Sequence, residues 1–217
     1  MKTLLVGASM LLTSTTVAAA EAQISVYGGY QTAPQSNVTI SGAFNQRFNA
    51  AWEGKPFAMP PYYGVRGTWW LPQHEAFGVS LDFTHAKVYG TAATLAANGL
   101  REFEFTDGLN TITLNGLYRF DQKLAGFRPY VGAGLGVNVP YVEVDRIAAP
   151  GATNGYQVGG ISAQALAGLE FDITERVSAF TEYKFNYNRV NVNVDGGDRL
   201  STTILTNAIN IGLSFRF

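Results

Sequence analysis

The apolar residues of this chain alternate with a period of two in a series of windows, each roughly ten residues long. In residues 76–89, for example, one parity carries Val79 and Leu81 and the other carries Ser80 and Asp82. This alternation is typical of strands that cross an outer membrane as part of a closed barrel. We predict strands at residues 23–33, 61–71, 76–89, 109–120, 128–142, 160–172, 177–189 and 204–217.

Charges in the middle of these windows fall on the parity opposite to the apolar residues, as Arg66, Asp82 and Glu182 illustrate. A charged residue that faces lipid at the middle of a bilayer costs about 2–4 kcal/mol for Arg or Lys. The pattern therefore fits a barrel with a polar interior. A water-soluble β-sandwich also separates polar from apolar parity, so alternation alone does not distinguish the two.

The two ends of the chain favour the membrane barrel. Lys2, an apolar stretch to Val17 and small residues around Ala20 predict a signal peptide over residues 1–20, cleaved after Ala20 or Ala22. Residues 23–217 would then form the barrel domain. The last strand ends in Phe217 and is similar to the terminal signal by which bacterial outer-membrane barrels reach their assembly machinery. We therefore expect export to the outer membrane, among its lipids and lipopolysaccharide.

The connections between the predicted strands alternate in length. The long, irregular ones cover residues 34–60, 90–108, 143–159 and 190–203, and the short ones cover 72–75, 121–127 and 173–176. Short periplasmic turns and longer extracellular loops are usual in transmembrane barrels. The predicted fold class is thus all-β: an eight-stranded antiparallel transmembrane β-barrel with long extracellular loops and short periplasmic turns. Inward side chains fill a barrel of that size, so we do not expect an open pore.

Composition excludes several function classes. The formal net charge of −1 provides no basic patch for nucleic acid. The absence of cysteine removes disulfides, thiolate metal sites and cysteine nucleophiles. No Gly-x-Ser-x-Gly elbow occurs, and no His is followed closely by Ser on a strand as in outer-membrane lipid A deacylases. A serine hydrolase is therefore disfavoured.

Three charged residues on the inward parity, Arg66, Asp82 and Glu182, lie at similar predicted depth, and Lys184 lies two residues higher. A buried charge is tolerated only when it is paired, so we predict that these four form an ion network in the lumen. The alternative is a proton or ion path, which would also place ionisable groups there.

A second group of candidates lies near the extracellular rim: His85, Glu104, Asp107 and Glu143, with Glu102, Asn110 and Asp145 nearby. If the loops converge, this group provides carboxylate and imidazole ligands for a hard cation, or a general base, facing the outer leaflet. The alternative is that the acidic residues are solvated and Lys87 binds lipid phosphates. His74, in a predicted periplasmic turn, is interpreted as a solvated turn residue.

Several segments resemble a family of small alphaproteobacterial outer-membrane barrels, some of which are named lipid A oxidases. The resemblance covers most of the chain after about residue 60. It rests on His85-Ala86-Lys87-Val88-Tyr89, Phe103-Glu104-Phe105-Thr106-Asp107-Gly108-Leu109-Asn110, Pro129-Tyr130-Val131-Gly132-Ala133-Gly134, Val139-Pro140-Tyr141-Val142-Glu143-Val144, Glu182-Tyr183-Lys184 and Thr206-Asn207-Ala208-Ile209-Asn210.

What the resemblance implies is oxygen-dependent oxidation of the proximal glucosamine of lipid A to an aminogluconate unit, with a divalent cation as cofactor. Tyr141 stands where the family often has His, which removes one possible metal or base ligand. Three functions remain open from the sequence: a lipid A-modifying enzyme, a non-enzymatic structural barrel, and a surface adhesin that would use residues 34–60.

Overall fold

The computed structural model describes residues 21–43, 45–148 and 151–217, so the predicted signal peptide lies outside the described residues. These residues form fourteen strands and one short helix. In chain order the elements are β1 Glu21–Thr32, β2 Ser36–Ser41, β3 Gln46–Ala50, β4 Trp52–Glu53, β5 Tyr63–Leu71, β6 His74–His85, β7 Val88–Gly90, α1 Ala92–Asn98, β8 Leu100–Phe105, β9 Leu109–Arg119, β10 Arg128–Arg146, β11 Ala152–Tyr156, β12 Gly160–Asp172, β13 Val177–Val194 and β14 Asp198–Arg216.

Eight of the strands pair side by side in a closed ring. The order around the ring is β1, β5, β6, β9, β10, β12, β13 and β14, and β14 pairs again with β1. Every pairing in the ring is antiparallel. The predicted all-β antiparallel barrel is confirmed, and closure leaves these strands no free edge along the ring. Within the described part of the chain, no helix is long and apolar enough to cross a membrane.

The two faces of the wall differ as the alternation predicted. Outward side chains are large, apolar and exposed, for example Leu81 at 50%, Leu135 at 72% and Ile211 at 70%. The inward neighbours Asp82 and Asn210 are fully buried. Successive side chains of a strand point to opposite faces of the sheet. The alternation of apolar and polar residues therefore places the apolar ones against lipid and the polar ones in the lumen.

The segments predicted as long irregular loops contain additional sheet and helix, so that part of the prediction is wrong. Residues 34–60 contain the hairpin β2–β3, which pairs along β14, and residues 90–108 contain α1 and β8. Residues 143–159 contain the end of β10 and β11. Residues 190–203 belong mainly to β13 and β14, which turn back through Gly196 and Gly197, both at positive φ. The short turns lie close to their predicted places, but His74 and Glu75, which were predicted to lie in the first turn, begin β6 instead.

Strands β13 and β14 continue beyond their predicted limits because their extracellular ends pack on apolar residues inside the wall. We call this group the extracellular apolar cluster. Its buried members are Ala33, Val38, Ile40, Ala50, Trp52, Val88, Leu100, Phe103, Phe105, Leu109, Val142, Val144, Val190, Val192, Val194, Leu200 and Ile204. Above the lipid, the outer face of these strands contacts water and their inner face needs apolar side chains. The apolar residues therefore change from the outward parity to the inward parity there. This cluster fills the interior at the extracellular end of the barrel.

Candidate functional site

The four predicted lumen charges are in direct contact. The Arg66 guanidinium donates two hydrogen bonds to the Glu182 carboxylate, at 2.9 and 2.7 Å, and its Nε donates to Asp82 at 2.9 Å. The Lys184 ammonium lies 2.7 Å from Asp82 Oδ2 and 3.6 Å from Glu182 Oε1. Two cations therefore balance two carboxylates in the middle of the lumen.

Tyrosine hydroxyl groups complete this network. Tyr27 donates to Asp82 at 2.6 Å and also accepts from Lys184, and Tyr130 donates to Glu182 at 2.8 Å. All carboxylate oxygens of the network thus have donors, which is what makes burial of such charges tolerable. The network crosses the lumen between strands β5, β6 and β13, and inward side chains fill the interior of a barrel of eight strands.

At the extracellular end of β6, His85 lies on the outer wall of the barrel and not in its mouth. It is opposite Tyr63 in the β5–β6 register, and the two rings stack with centroids 5.1 Å apart. Directly opposite residues share a face, and Tyr63 is 39% exposed on the lipid-facing side. His85 itself is only 4% exposed, because it lines a groove with Pro60, Asp107, Asn110 and Tyr156.

The hydrogen bonds around Asn110 assign the tautomer of His85. The Asn110 amide nitrogen donates to the carbonyl oxygens of Asp107 and Val139, at 3.1 and 3.3 Å. Its Oδ1 therefore faces His85 Nδ1 at 2.9 Å, and Nδ1 must carry the proton. In a neutral ring the lone pair is then on Nε2, which is buried and has no hydrogen-bond partner. An imidazole held this way can accept a proton or bind a metal ion.

Three carboxylates lie higher on the same outer face. Glu104 of β8 is directly opposite Glu143 of β10, and Glu102 is two residues along β8. One ligand oxygen from each of the three lies within 4.8 Å of the others. Glu143 Oε2 is buried without a hydrogen-bond partner. Oxygen donors at this spacing fit a hard divalent cation such as Mg²⁺, Ca²⁺ or Mn²⁺.

The electrostatics of the three carboxylates also favour a cation. Burial, followed by the charges of Glu143 and Glu102, raises the pKa of Glu104 to about 7. Burial and the nearby Glu102 likewise raise the pKa of Glu143. A bound cation would favour the ionised form of both carboxylates, so cation and protons compete for this site.

The structure thus divides the predicted rim cluster into two adjoining parts. Glu104 and Glu143 meet with Glu102, whereas His85 meets Asp107 and Asn110 in the groove. Lys87 lies between them: its charge acts on Asp107, Glu104 and Glu143, and its Nζ donates to Met59 O at 2.7 Å. Asp145 is instead paired with Arg101 at 2.8 Å. Tyr141, the position where the resembled family often has His, packs its ring 4.8 Å from that of Tyr156.

Sequence reasoning missed two aromatic residues of the groove, Tyr63 and Tyr156. Tyr63 lies in the predicted strand 61–71 but was not linked to His85, on which its ring stacks. Tyr156 lies in a segment predicted to be irregular, and its hydroxyl lies 3.4 Å from the Asp107 carbonyl oxygen. One signal was available in the sequence. His85 has the same parity as Phe83 in β6, and this parity already placed His85 on the lipid-facing side.

Comparisons with known proteins agree with this fold. A family model described as Opacity family porin protein matches residues 73–217. The outer membrane protein AlkL, solved in lipid bilayers, superposes with a TM-score of 0.59 at 13% identity, covering 98% of this chain and 97% of AlkL. Neisserial surface protein A superposes with a TM-score of 0.50 at 16% identity, covering 91% of this chain and 97% of that one.

At such identities the two solved structures show the fold alone, and no curated protein sequence matches the chain. The family model, by contrast, covers more than half of the sequence. Together with the closed ring and its apolar outer belt, it identifies this chain as a member of the Opacity porin family, an integral β-barrel of the Gram-negative outer membrane.

Proposed function

We propose that this barrel binds the sugar–phosphate headgroup of lipid A on its outer wall and oxidises the proximal glucosamine. The observation that carries the proposal is the placement of His85 and of the three carboxylates. They share the parity of the lipid-facing residues and lie just above them on β6, β8 and β10. A lipid of the outer leaflet meets this surface by lateral diffusion, without entering the lumen.

The residues of this surface would have three different roles. Ile112 and Val139 form the apolar lower part of the groove, where they would contact acyl chains. His85 Nε2 would accept the proton of a sugar hydroxyl, because its neighbour Asn110 fixes the tautomer that leaves this nitrogen free. A divalent cation at Glu102, Glu104 and Glu143 would supply positive charge for the lipid phosphates.

The oxidation itself follows from the resemblance and sets a condition on the substrate. One hydrogen leaves C1 of the glucosamine hemiacetal and one leaves the hydroxyl on C1, and together they reduce O₂ to H₂O₂. Water then opens the resulting lactone to the acid. The net change in the lipid is a gain of one oxygen atom. The reaction requires a free hydroxyl at C1, so we expect only lipid A without a phosphate at C1 to react.

Mass spectrometry of lipid A tests the proposal. Cells that supply lipid A without the C1 phosphate would express the wild type, His85→Ala or His74→Ala, the last being an exposed histidine at the periplasmic end. We expect the one-oxygen gain, with H₂O₂ release, in the wild type and in His74→Ala but not in His85→Ala. Unchanged lipid A with a folded, inserted wild-type barrel would refute the oxidation.

A surface-binding role is the second candidate, and the β2–β3 hairpin favours it. The hairpin pairs along β14 and rests on the extracellular apolar cluster, so its exposed residues Arg47 and Asn49 are presented on a fixed surface. Substituting both by alanine tests this role. Loss of cell adhesion to host matrix, with lipid A composition and barrel folding unchanged, would support it over the enzymatic role.

A further inference from the structure

The connection between β4 and β5 carries two strongly exposed apolar side chains. Phe57 is 74% exposed and Met59 is 82% exposed. They belong to the run Lys55-Pro56-Phe57-Ala58-Met59-Pro60, which we call the apolar strap. Two neighbouring side chains of this size in water would be unfavourable, so the environment of the apolar strap needs an explanation.

The depth of Phe57 relative to the barrel provides that explanation. The Phe57 ring lies 6.2 Å from the ring of Tyr30 on β1. Tyr30 is 58% exposed, shares the outward parity of Val26, and pairs directly with Ile209, which is 64% exposed. Tyr30 therefore belongs to the lipid-facing belt of the wall. Phe57 lies against the outside of that belt, near the extracellular end of β1.

The apolar strap is held in this position by defined hydrogen bonds. The Tyr62 amide donates to Pro56 O at 2.7 Å, and the Ala58 amide donates to Lys55 O at 3.0 Å. The Lys87 ammonium donates to Met59 O at 2.7 Å. These contacts fix the backbone on the outer wall and leave the Phe57 and Met59 side chains exposed.

One cationic side chain, Lys55, accompanies the apolar side chains. The Lys55 ammonium lies 4.2 Å from the Tyr89 ring centre and 3.5 Å from Glu53, and about half of its side chain is exposed. An exposed ammonium next to outward apolar residues is the combination found where protein segments meet the phosphate and acyl layers of a membrane.

We propose that Phe57 and Met59 insert among the acyl chains of the outer leaflet, with Lys55 at the level of the lipid phosphates. The partner is therefore the lipid itself, reached by extending the apolar belt of the barrel through the strap. The insertion brings lipid chains beside Pro60, one wall of the His85 groove. It does not depend on any reaction at His85 and would hold for a non-enzymatic barrel.

The absence of cysteine from the chain makes a fluorescence test direct. Met59→Cys and Phe57→Cys would each be labelled with an NBD fluorophore, and the barrel refolded into phosphatidylcholine–phosphatidylglycerol vesicles. A fraction of the lipids would carry a spin label high on the acyl chain. The matched control is Ile147→Cys, which is 59% exposed but follows the extracellular end of β10.

We expect blue-shifted emission at positions 57 and 59 and quenching by the spin-labelled lipid at least about twofold stronger than at position 147. A heat-induced mobility shift on gels confirms that each labelled barrel is folded. Labels at 57 and 59 that are quenched by aqueous iodide as strongly as the label at 147 would overturn the proposal. That result would point to a surface that faces a protein partner. Neither outcome depends on lipid A modification, so the two proposals fail separately.

Discussion

Replacing Lys184 by methionine removes one of the two cations from the neutral quartet of the lumen. The side chains of Lys184 and Asp82 are both fully buried, with Nζ 2.7 Å from Oδ2. Breaking a buried pair by removing one partner typically costs about 3–5 kcal/mol, because the other charge is left uncompensated. We expect Lys184→Met to lower the free energy of unfolding by about that amount, and Asp82→Asn to cost about the same.

The double variant separates charge balance from simple loss of packing. Lys184→Met with Asp82→Asn leaves Arg66 and Glu182 as a neutral pair, still joined by hydrogen bonds of 2.9 and 2.7 Å. Since no uncompensated charge remains, the double variant should cost at least about 2 kcal/mol less than the sum of the single variants. Additive effects would refute the coupling inferred from the geometry.

Urea unfolding in phospholipid vesicles, followed by tryptophan fluorescence, measures these differences. Lys123→Met is the matched control, because Lys123 pairs with Asp172 at 3.0 Å but 47% of its side chain is exposed. A surface pair of this kind contributes about 0–1 kcal/mol. If Lys184→Met destabilised the barrel no more than Lys123→Met, the lumen charges would be solvated and the network would not hold the wall together.

Three further predictions concern the outer wall and the lumen. Isothermal titration should show Mn²⁺ binding that weakens about tenfold from pH 8 to pH 6, because Glu104, with a pKa of about 7, becomes protonated. The Glu143→Gln variant should not bind Mn²⁺. Gly108→Ala should destabilise the barrel by about 2–4 kcal/mol in urea unfolding and Gly99→Ala by only about 1 kcal/mol. Both glycines have positive φ, but an added Cβ at Gly108 would lie 2.4 Å from His85 Nδ1, whereas Gly99 has open space. Planar-bilayer recordings should show no discrete channels, because the ion network and the extracellular apolar cluster close the lumen; steady conductance steps would contradict this.

The polarity inversion along the strands explains which parts of the fold could be predicted. In β13 the inward residue Asn188 is polar, whereas the next inward residue, Val190, is apolar. In the sequence, the move of the apolar residues from the outward to the inward parity resembles the end of a strand. The segment was therefore predicted as a loop. It is instead the point where the surroundings of the wall change from lipid to water. The alternation itself continues through Val190, Val192 and Val194, but only the extracellular apolar cluster, which draws residues from distant segments, shows that the inverted parity belongs to the same strand.

The sequence by itself determined the barrel class, the polar lumen and the inward parity of Arg66, Asp82, Glu182 and Lys184, because side-chain direction in a strand depends only on residue parity. It also supplied the candidates at the extracellular end. Only the tertiary structure decided how they group. Pairing of β8 with β10 places Glu104 opposite Glu143, and the turn before Asn110 brings Asp107 to His85. Strand register across the barrel is set by non-local pairing, which parity along one strand does not encode.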